Sequence, residues 1–245
     1  MIRFILSLFC FGLLLHDTAG QSVSQDSTFV AAASRFAVAR HEQLGNDLEH
    51  LYNGPEYIGY DRRMAGHAFF PADSLLPGRV AYEGGLFAVP LLYDIVTDKV
   101  VVIHPSGYRM TLHSERIGHF TIDNHTFIRL DSTGQSIPGG FYNLVYNGPT
   151  QLLVRRTKQI ISAPTSPTPW NSGLYGQFEA KTKYYVRRNG NYSQVKNKRT
   201  LVAVLADRRK ELMTYARKQR LKFRPSPEAA ILKLARYYDE LTTSL

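Results

Sequence analysis

Between Val80 and Leu130 the chain is cut by turn signals into short runs of β-branched and aromatic residues, and that spacing limits the fold more than any other feature. The runs lie around Val80, then at Leu86 to Val96, Val100 to His104, Tyr108 to Leu112, His119 to Ile122 and Thr126 to Leu130. Glu83-Gly84-Gly85 and Thr97-Asp98 punctuate them. Strands recurring about every 8–12 residues predict an antiparallel meander, a sandwich or a partly open barrel. No helical pattern separates the runs, so a parallel α/β sheet is disfavoured. Pro90 falls inside a strand run, where its missing N–H requires an edge position or a bulge.

Turn chemistry extends the β reading. The tetrapeptide Tyr-Asn-Gly-Pro occurs twice, at Tyr52 to Pro55 and at Tyr146 to Pro149. In the second copy, Asn147-Gly148 predicts a tight hairpin with positive φ at both corners, and Pro149 opens the following strand. The flanking sequences EYIGYDRR and TQLLVRRT do not match, so the tetrapeptide reads as turn chemistry used twice rather than as a repeat. A further hairpin is predicted at Asn189-Gly190.

Helices are expected at the two ends. Phe29 to Leu44 carries helical spacing. Near the C-terminus, Leu201, Val204, Leu205, Leu212, Tyr215 and Ala216 share one stripe of a first helix, with Arg209, Lys210, Arg217 and Arg220 on another. Arg208 falls in the apolar stripe, where a snorkelling stem is expected. A second helix is predicted to be capped by Ser226, to start at Pro227, to hold Glu228 in its first turn, and to bury Ile231, Leu234, Tyr238 and Leu241. The predicted fold is α+β and β-rich: a meander, open barrel or sandwich with one N-terminal helix and two C-terminal helices packed on it. Residues 21–162 hold the N-terminal helix and the β-rich body. Residues 163–174 are a proline-rich connection whose Trp170 is expected to dock on the body. Residues 175–245 supply a basic hairpin and two helices, docked on the body as one domain.

Compartment is read from the first twenty residues. Arg3, the apolar run Phe4 to Leu15 and the small residues before Gln21 predict an export signal cleaved after Gly20. The run is shorter than the roughly 20 apolar residues of a membrane span, so no transmembrane segment is expected after cleavage. Cys10, the single cysteine, lies in that run, so the mature chain is expected to hold its fold by packing without disulfides. Asn124-His-Thr and Asn191-Tyr-Ser match glycosylation sequons, which matter only in a eukaryotic secretory pathway.

Charge supplies the main functional signal. The net charge of +10 is concentrated between Lys181 and Arg224, where fifteen Lys or Arg face two acids, Asp207 and Glu211. Tyr184, Tyr185 and Tyr192 are interleaved with these cations. In an exported protein such a face points to anionic lipid or acidic glycan, or to an envelope protein, and nucleic acid is not expected. The candidate binding residues are Arg187, Arg188, Lys198, Arg199, Arg209, Lys210, Arg217 and Arg220. A solvated, solubilising face is the plain alternative.

Catalytic signals are weak. His113, His119 and His125, with Asp123 between the last two, lack the close spacing of a zinc motif, and no metal or other cofactor is expected. Nucleophile-elbow, phosphate-loop and dinucleotide motifs are missing. His104 to Tyr108 reads as a turn, and Asp94 and Asp98 are expected to cap and solvate one. Two alternatives to a binding or scaffolding role stay open. One is a carrier of an apolar ligand between sheet and helices; the other is a hydrolase-type site assembled from distant strands.

The stretches LYNGPEY, GRVAYEGGLFAVPLLYDIVTDKVVV, ERIGHFTIDNHTFIRL and GFYNLVYNGPTQLLVRR resemble a family of exported Bacteroidota proteins with no assigned activity. The resemblance covers most of the mature chain. It implies an exported location and a bacterial source and brings no functional residues.

Overall fold

The computed structural model describes residues 50–132, 137–162, 173 and 175–243. The expected export signal, the helix over 29–44 and Trp170 with nearly all of its proline-rich connection lie outside the described residues. The described fold is α+β and β-rich, as the strand spacing predicts.

Two sheets form it. The smaller runs β2-β5-β6-β7, with β2 at Phe69–Phe70, β5 at Leu91–Asp94, β6 at Lys99–Ile103 and β7 at Arg109–Thr111. The larger has β3 (Gly78–Tyr82), β4 (Gly85–Ala88), β8 (Ile117–Ile122), β9 (His125–Leu130), β10 (Gly140–Asn147), β11 (Gln151–Ser162) and β12 (Gly176–Arg188). Its order is β12-β11-β10-β9-β8-β3-β4, all antiparallel. On the outer side of β12 pair β13 (Asn191–Val195), antiparallel, and β1 (Met64–Ala65), the one parallel strand. The run Leu86 to Val96 is not one strand. It breaks at Val89-Pro90, where the chain leaves β4 of one sheet for β5 of the other. Pro90 is exposed at this corner, and its lack of an N–H suits a place where the ladder must stop.

One face of the large sheet is covered in two parts. At the β3-β8-β9-β10 end, alternate residues Val80, Phe120, Phe127 and Phe141 pack against Leu91, Tyr93, Val100, Val102 and Met110 of the small sheet. Tyr93 meets Phe127 edge-on at 4.8 Å and Phe120 stacks on Phe127 at 4.9 Å between centroids. At the other end, Leu152, Val186 and Val195 pack against helices α1 (Lys198–Val204), α2 (Arg209–Lys218) and α3 (Glu228–Thr243). Arg156 of β11 stands between the two parts and is 16% exposed. Its guanidinium lies 5.0 Å from the Phe70 ring centre, donates to Asn143 Oδ1 at 3.1 Å, and reaches both Glu228 oxygens at 3.0 and 3.1 Å. One side chain thus joins the small sheet, the large sheet and α3.

Three local expectations are corrected. The first C-terminal helix is broken after Val204 by a 3-10 turn at Ala206–Arg208, so that α1 and α2 are separate helices. Arg208 lies in that turn, partly exposed, 3.7 Å from Glu211. The last helix starts at Glu228 rather than Pro227, with the Pro227 carbonyl accepting its first bond from Ile231 N–H. The β10–β11 turn is a three-residue loop, Gly148 to Thr150, and neither Asn147 nor Gly148 has positive φ. Glycine serves close approach instead. A Cβ at Gly148 would collide with Tyr146 Oη and Asp239 Oδ2, and one at Gly54 would collide with the Thr111 carbonyl. The positive-φ hairpin occurs where Asn189 and Gly190 join β12 to β13, at 50° and 80°.

Candidate functional site

The structure sorts the eight sequence-predicted cations into three groups. Arg187 and Arg188 serve the fold. Arg188 pairs with Asp207 at 3.1 Å, donates to the Val204 carbonyl at 3.1 Å, and lies over the Tyr238 ring. Arg187 lies over Tyr192 and donates to Gln151 Oε1 at 3.3 Å, while its Nε is buried without a partner among the described residues.

Lys198, Arg199 and Arg209 converge. Asn197 caps α1 with a reciprocal box: its Oδ1 accepts from Thr200 N–H at 3.0 Å, and Thr200 Oγ1 accepts from Asn197 N–H at 3.1 Å. The cap fixes where α1 begins and so where Lys198 and Arg199 project. Beyond the break after Val204, Arg209 and Met213 of α2 face the same groove as α1. The resulting groove, of about 350 Å³, has Lys198, Arg199 and Arg209 beside Val202, Ala203 and Met213. Lys210, Arg217 and Arg220 continue the positive charge as exposed residues along and beyond α2. Among the described residues none of these six cations is in an ion pair.

Helix electrostatics argue against a purely structural role for this set. α1 opens with Lys198 and Arg199 and has no acid in its first turn; α2 opens with Arg209 and Lys210 against Glu211 alone. A cation in a first turn faces the positive end of the helix dipole and costs about 0.3–1 kcal/mol at low salt. Four cations therefore stand where helix stability favours acids.

A second basic cleft, of about 610 Å³, has Lys183, Lys196 and Arg224 on its walls, with Tyr184, Phe223 and Ser226. It lies between the end of β13 and the loop leading into α3. The basic segment signalled its sign, but the three residues that meet there come from a strand, a strand end and a loop, and no periodicity links them.

Acids and histidines of the β-rich body make hydrogen bonds and ring contacts that link its strands and turns. Asp94 is fully buried and accepts from Tyr57 Oη (3.1 Å), Tyr60 Oη (2.8 Å), Thr97 Oγ1 (2.7 Å) and the Val96 and Thr97 N–H groups. Asp98 accepts from Tyr93 Oη at 2.5 Å and Phe141 N–H at 3.1 Å. Asp94 caps its turn through the Val96 and Thr97 N–H groups as expected, but it is buried rather than solvated, and Asp98 is half-buried. Burial, and secondarily the Asp94 charge, raises the Tyr57 hydroxyl well above its ordinary range; in Tyr60 burial again leads, followed by its hydrogen bond to Asp94. The two tyrosines, with His67, Asp73, Arg109 and Phe178, line a third cleft of about 440 Å³. Lys158 is anchored beside it by the His67 and Phe69 carbonyls at 2.6 and 3.1 Å, and burial lowers its pKa.

His125 packs edge-on to Phe70, His113 lies 3.5 Å from Glu115, and His119 is exposed. Among the described residues no three His, Cys, Asp or Glu side chains are placed to hold a metal ion. Also among them, no helix is long and apolar enough to cross a membrane.

No protein-family model, no curated protein and no solved structure matches the chain.

Proposed function

We propose that the protein is an exported bacterial envelope protein with a binding rather than a catalytic role, and that its ligand is anionic lipid held at the α1–α2 groove. The supporting observation is the convergence of unpaired Lys198, Arg199 and Arg209 around Val202, Ala203 and Met213. Phosphate oxygens satisfy the cations, and the glycerol and first acyl carbons suit the apolar residues between them. An acidic glycan offers the charge without an apolar part. Lys210, Arg217 and Arg220 extend the field toward a negatively charged surface. The carrier reading, an apolar ligand between sheet and helices, has less support, because Leu152, Val186 and Val195 of the sheet pack directly on Leu201, Leu212 and Leu234 of the helices.

The test is flotation with phosphatidylglycerol vesicles against phosphatidylcholine vesicles, with acidic polysaccharide as competitor. Binding should require the anionic lipid and weaken as salt shortens the Debye length. Reversing Lys198, Arg199 and Arg209 to Glu should weaken partitioning by about 100-fold or more, at about 1 kcal/mol for each basic residue lost. Undiminished binding of the triple variant refutes the site. Recovery of the native protein from the cell envelope with Gln21 as its first residue tests the export reading.

A further inference from the structure

β12 is paired on one side throughout and on the other side only at its ends. β11 covers it from Gly176 to Arg187. On the opposite edge β1 reaches Gly176 and Gln177, and β13 reaches Tyr184 to Arg188. Among the described residues Phe178 to Lys183 have no strand partner there, an interval of about 20 Å at roughly 3.3 Å per residue. Glu179 to Lys183 are all exposed.

The hairpin fixes which backbone groups face this gap. Arg188 and Asn191 flank the two-residue turn Asn189-Gly190 and so form a hydrogen-bonded pair. By alternation Val186 and Tyr184 also turn their N–H and C=O groups to β13, and Thr182 and Ala180 turn theirs to the open edge, joined there by the Phe178 carbonyl. Lys181 has the other parity, and its carbonyl accepts from Thr157 Oγ1 of β11 at 3.3 Å. The gap also has a cleft at each end. Phe178 lines the 440 Å³ cleft beside Tyr60, and Thr182 and Lys183 line the 610 Å³ basic cleft. Unpaired strand groups between two side-chain pockets are what an added strand requires.

Charge selects the occupant. Lys183 lies directly across from Arg155 on β11, and like charges in that relation repel. Lys181 follows on the same face, and Lys196 and Arg224 wait in the end cleft. Glu179 is the single acid of the interval and lies 3.7 Å from Lys181. A second copy of this chain pairing edge to edge would set these lysines against their counterparts, which disfavours it. We propose that an extended acidic segment of another protein adds to β12 as a strand, bonded to Ala180, Thr182 and the Phe178 carbonyl, with its carboxylates meeting Lys181, Lys183 and Arg224.

The test uses the whole protein and a fluorescein-labelled peptide of alternating Glu and Val, followed by anisotropy. Saturable binding is expected, with none for the Lys–Val counterpart. Ala180→Pro removes an edge-facing N–H while leaving the β11 ladder, and should weaken binding by about tenfold or more. If that variant does not fold, N-methylation of alternate peptide residues gives the same loss from the ligand side, in one register and not the other. Lys183→Glu should reverse the charge preference. Absence of binding, equal binding of both N-methylated registers, or a concentration-dependent dimer that Ala180→Pro dissolves would each overturn the proposal. Ala180 and Lys183 lie outside the α1–α2 groove, so vesicle binding should survive both substitutions.

Discussion

Asp239 is the side chain whose removal should most directly loosen α3 from the sheet. It is 5% exposed in the middle of a helix, and its carboxylate accepts from the Thr150 N–H at 3.0 and 3.2 Å and from Tyr146 Oη at 2.9 Å. Tyr146 opens the second Tyr-Asn-Gly-Pro copy and Thr150 directly follows it. In Asp239→Ala the Thr150 N–H stays buried without an acceptor, which costs about 1–3 kcal/mol. Tyr146 lines an open surface cleft with Pro149 and Arg236, so its hydroxyl rehydrates and loses only about 1 kcal/mol. The sum is a destabilisation of about 3 kcal/mol. Urea unfolding followed by far-ultraviolet circular dichroism at neutral pH should show a midpoint lowered by about 1 M or more. Asp239→Asn keeps an acceptor for Thr150 and should cost about 1 kcal/mol. Tyr146→Phe should also cost about 1 kcal/mol, and combined with Asp239→Ala it should add almost nothing further. If Asp239→Ala stays within about 0.5 kcal/mol of wild type, the buried carboxylate does not hold the loop to α3.

Other substitutions test the helices and the core. Arg220 has φ of 48° just past α2, where Leu221 N–H bonds the Ala216 carbonyl and Arg220 N–H bonds that of Arg217. Arg220→Gly relieves this left-handed backbone and should stabilise by about 0.5–1 kcal/mol, read as a raised melting temperature; a lowered one counts against the strain. Lys210→Glu places an acid at the positive end of α2 and should stabilise by about 0.3–1 kcal/mol while weakening vesicle binding; a loss of stability would contradict the dipole reasoning. Burial raises the Asp98 carboxyl above its ordinary 3.8, partly offset by the Tyr93 hydroxyl and the Phe141 N–H. The folded protein therefore keeps this proton to higher pH than the unfolded chain. Its contribution to stability is fully present below the unfolded value and is lost as pH rises through the folded one. The stability of wild type relative to Asp98→Asn should fall over that rise and then level off; a difference that stays constant with pH refutes the shift.

The sequence by itself determined where the strand-forming runs lie and the Asn189-Gly190 turn, because period-two alternation and the φ demands of that pair are local properties. It did not show the break at Val89-Pro90 or the form of the β10–β11 turn. It determined the basic character of the C-terminal third, since charge is additive along a chain. It placed the apolar stripes of the last helices for the same reason, as Ile231, Leu234 and Tyr238 repeat at helical spacing and are buried. Tertiary structure decided what each charge does. Arg188 and Arg156 look like any other cation in the sequence. Asp207 and Glu228, brought in from 19 and 72 residues away, make them structural. Lys198 and Arg209 meet in one groove, and among the described residues no acid pairs with either. The glycine of Tyr-Asn-Gly-Pro reads as turn chemistry in one dimension; in three it is the space that Thr111 in one copy, and Tyr146 and Asp239 in the other, require. Burial and ion pairing depend on distances between segments far apart in the chain, and local pattern does not encode those distances.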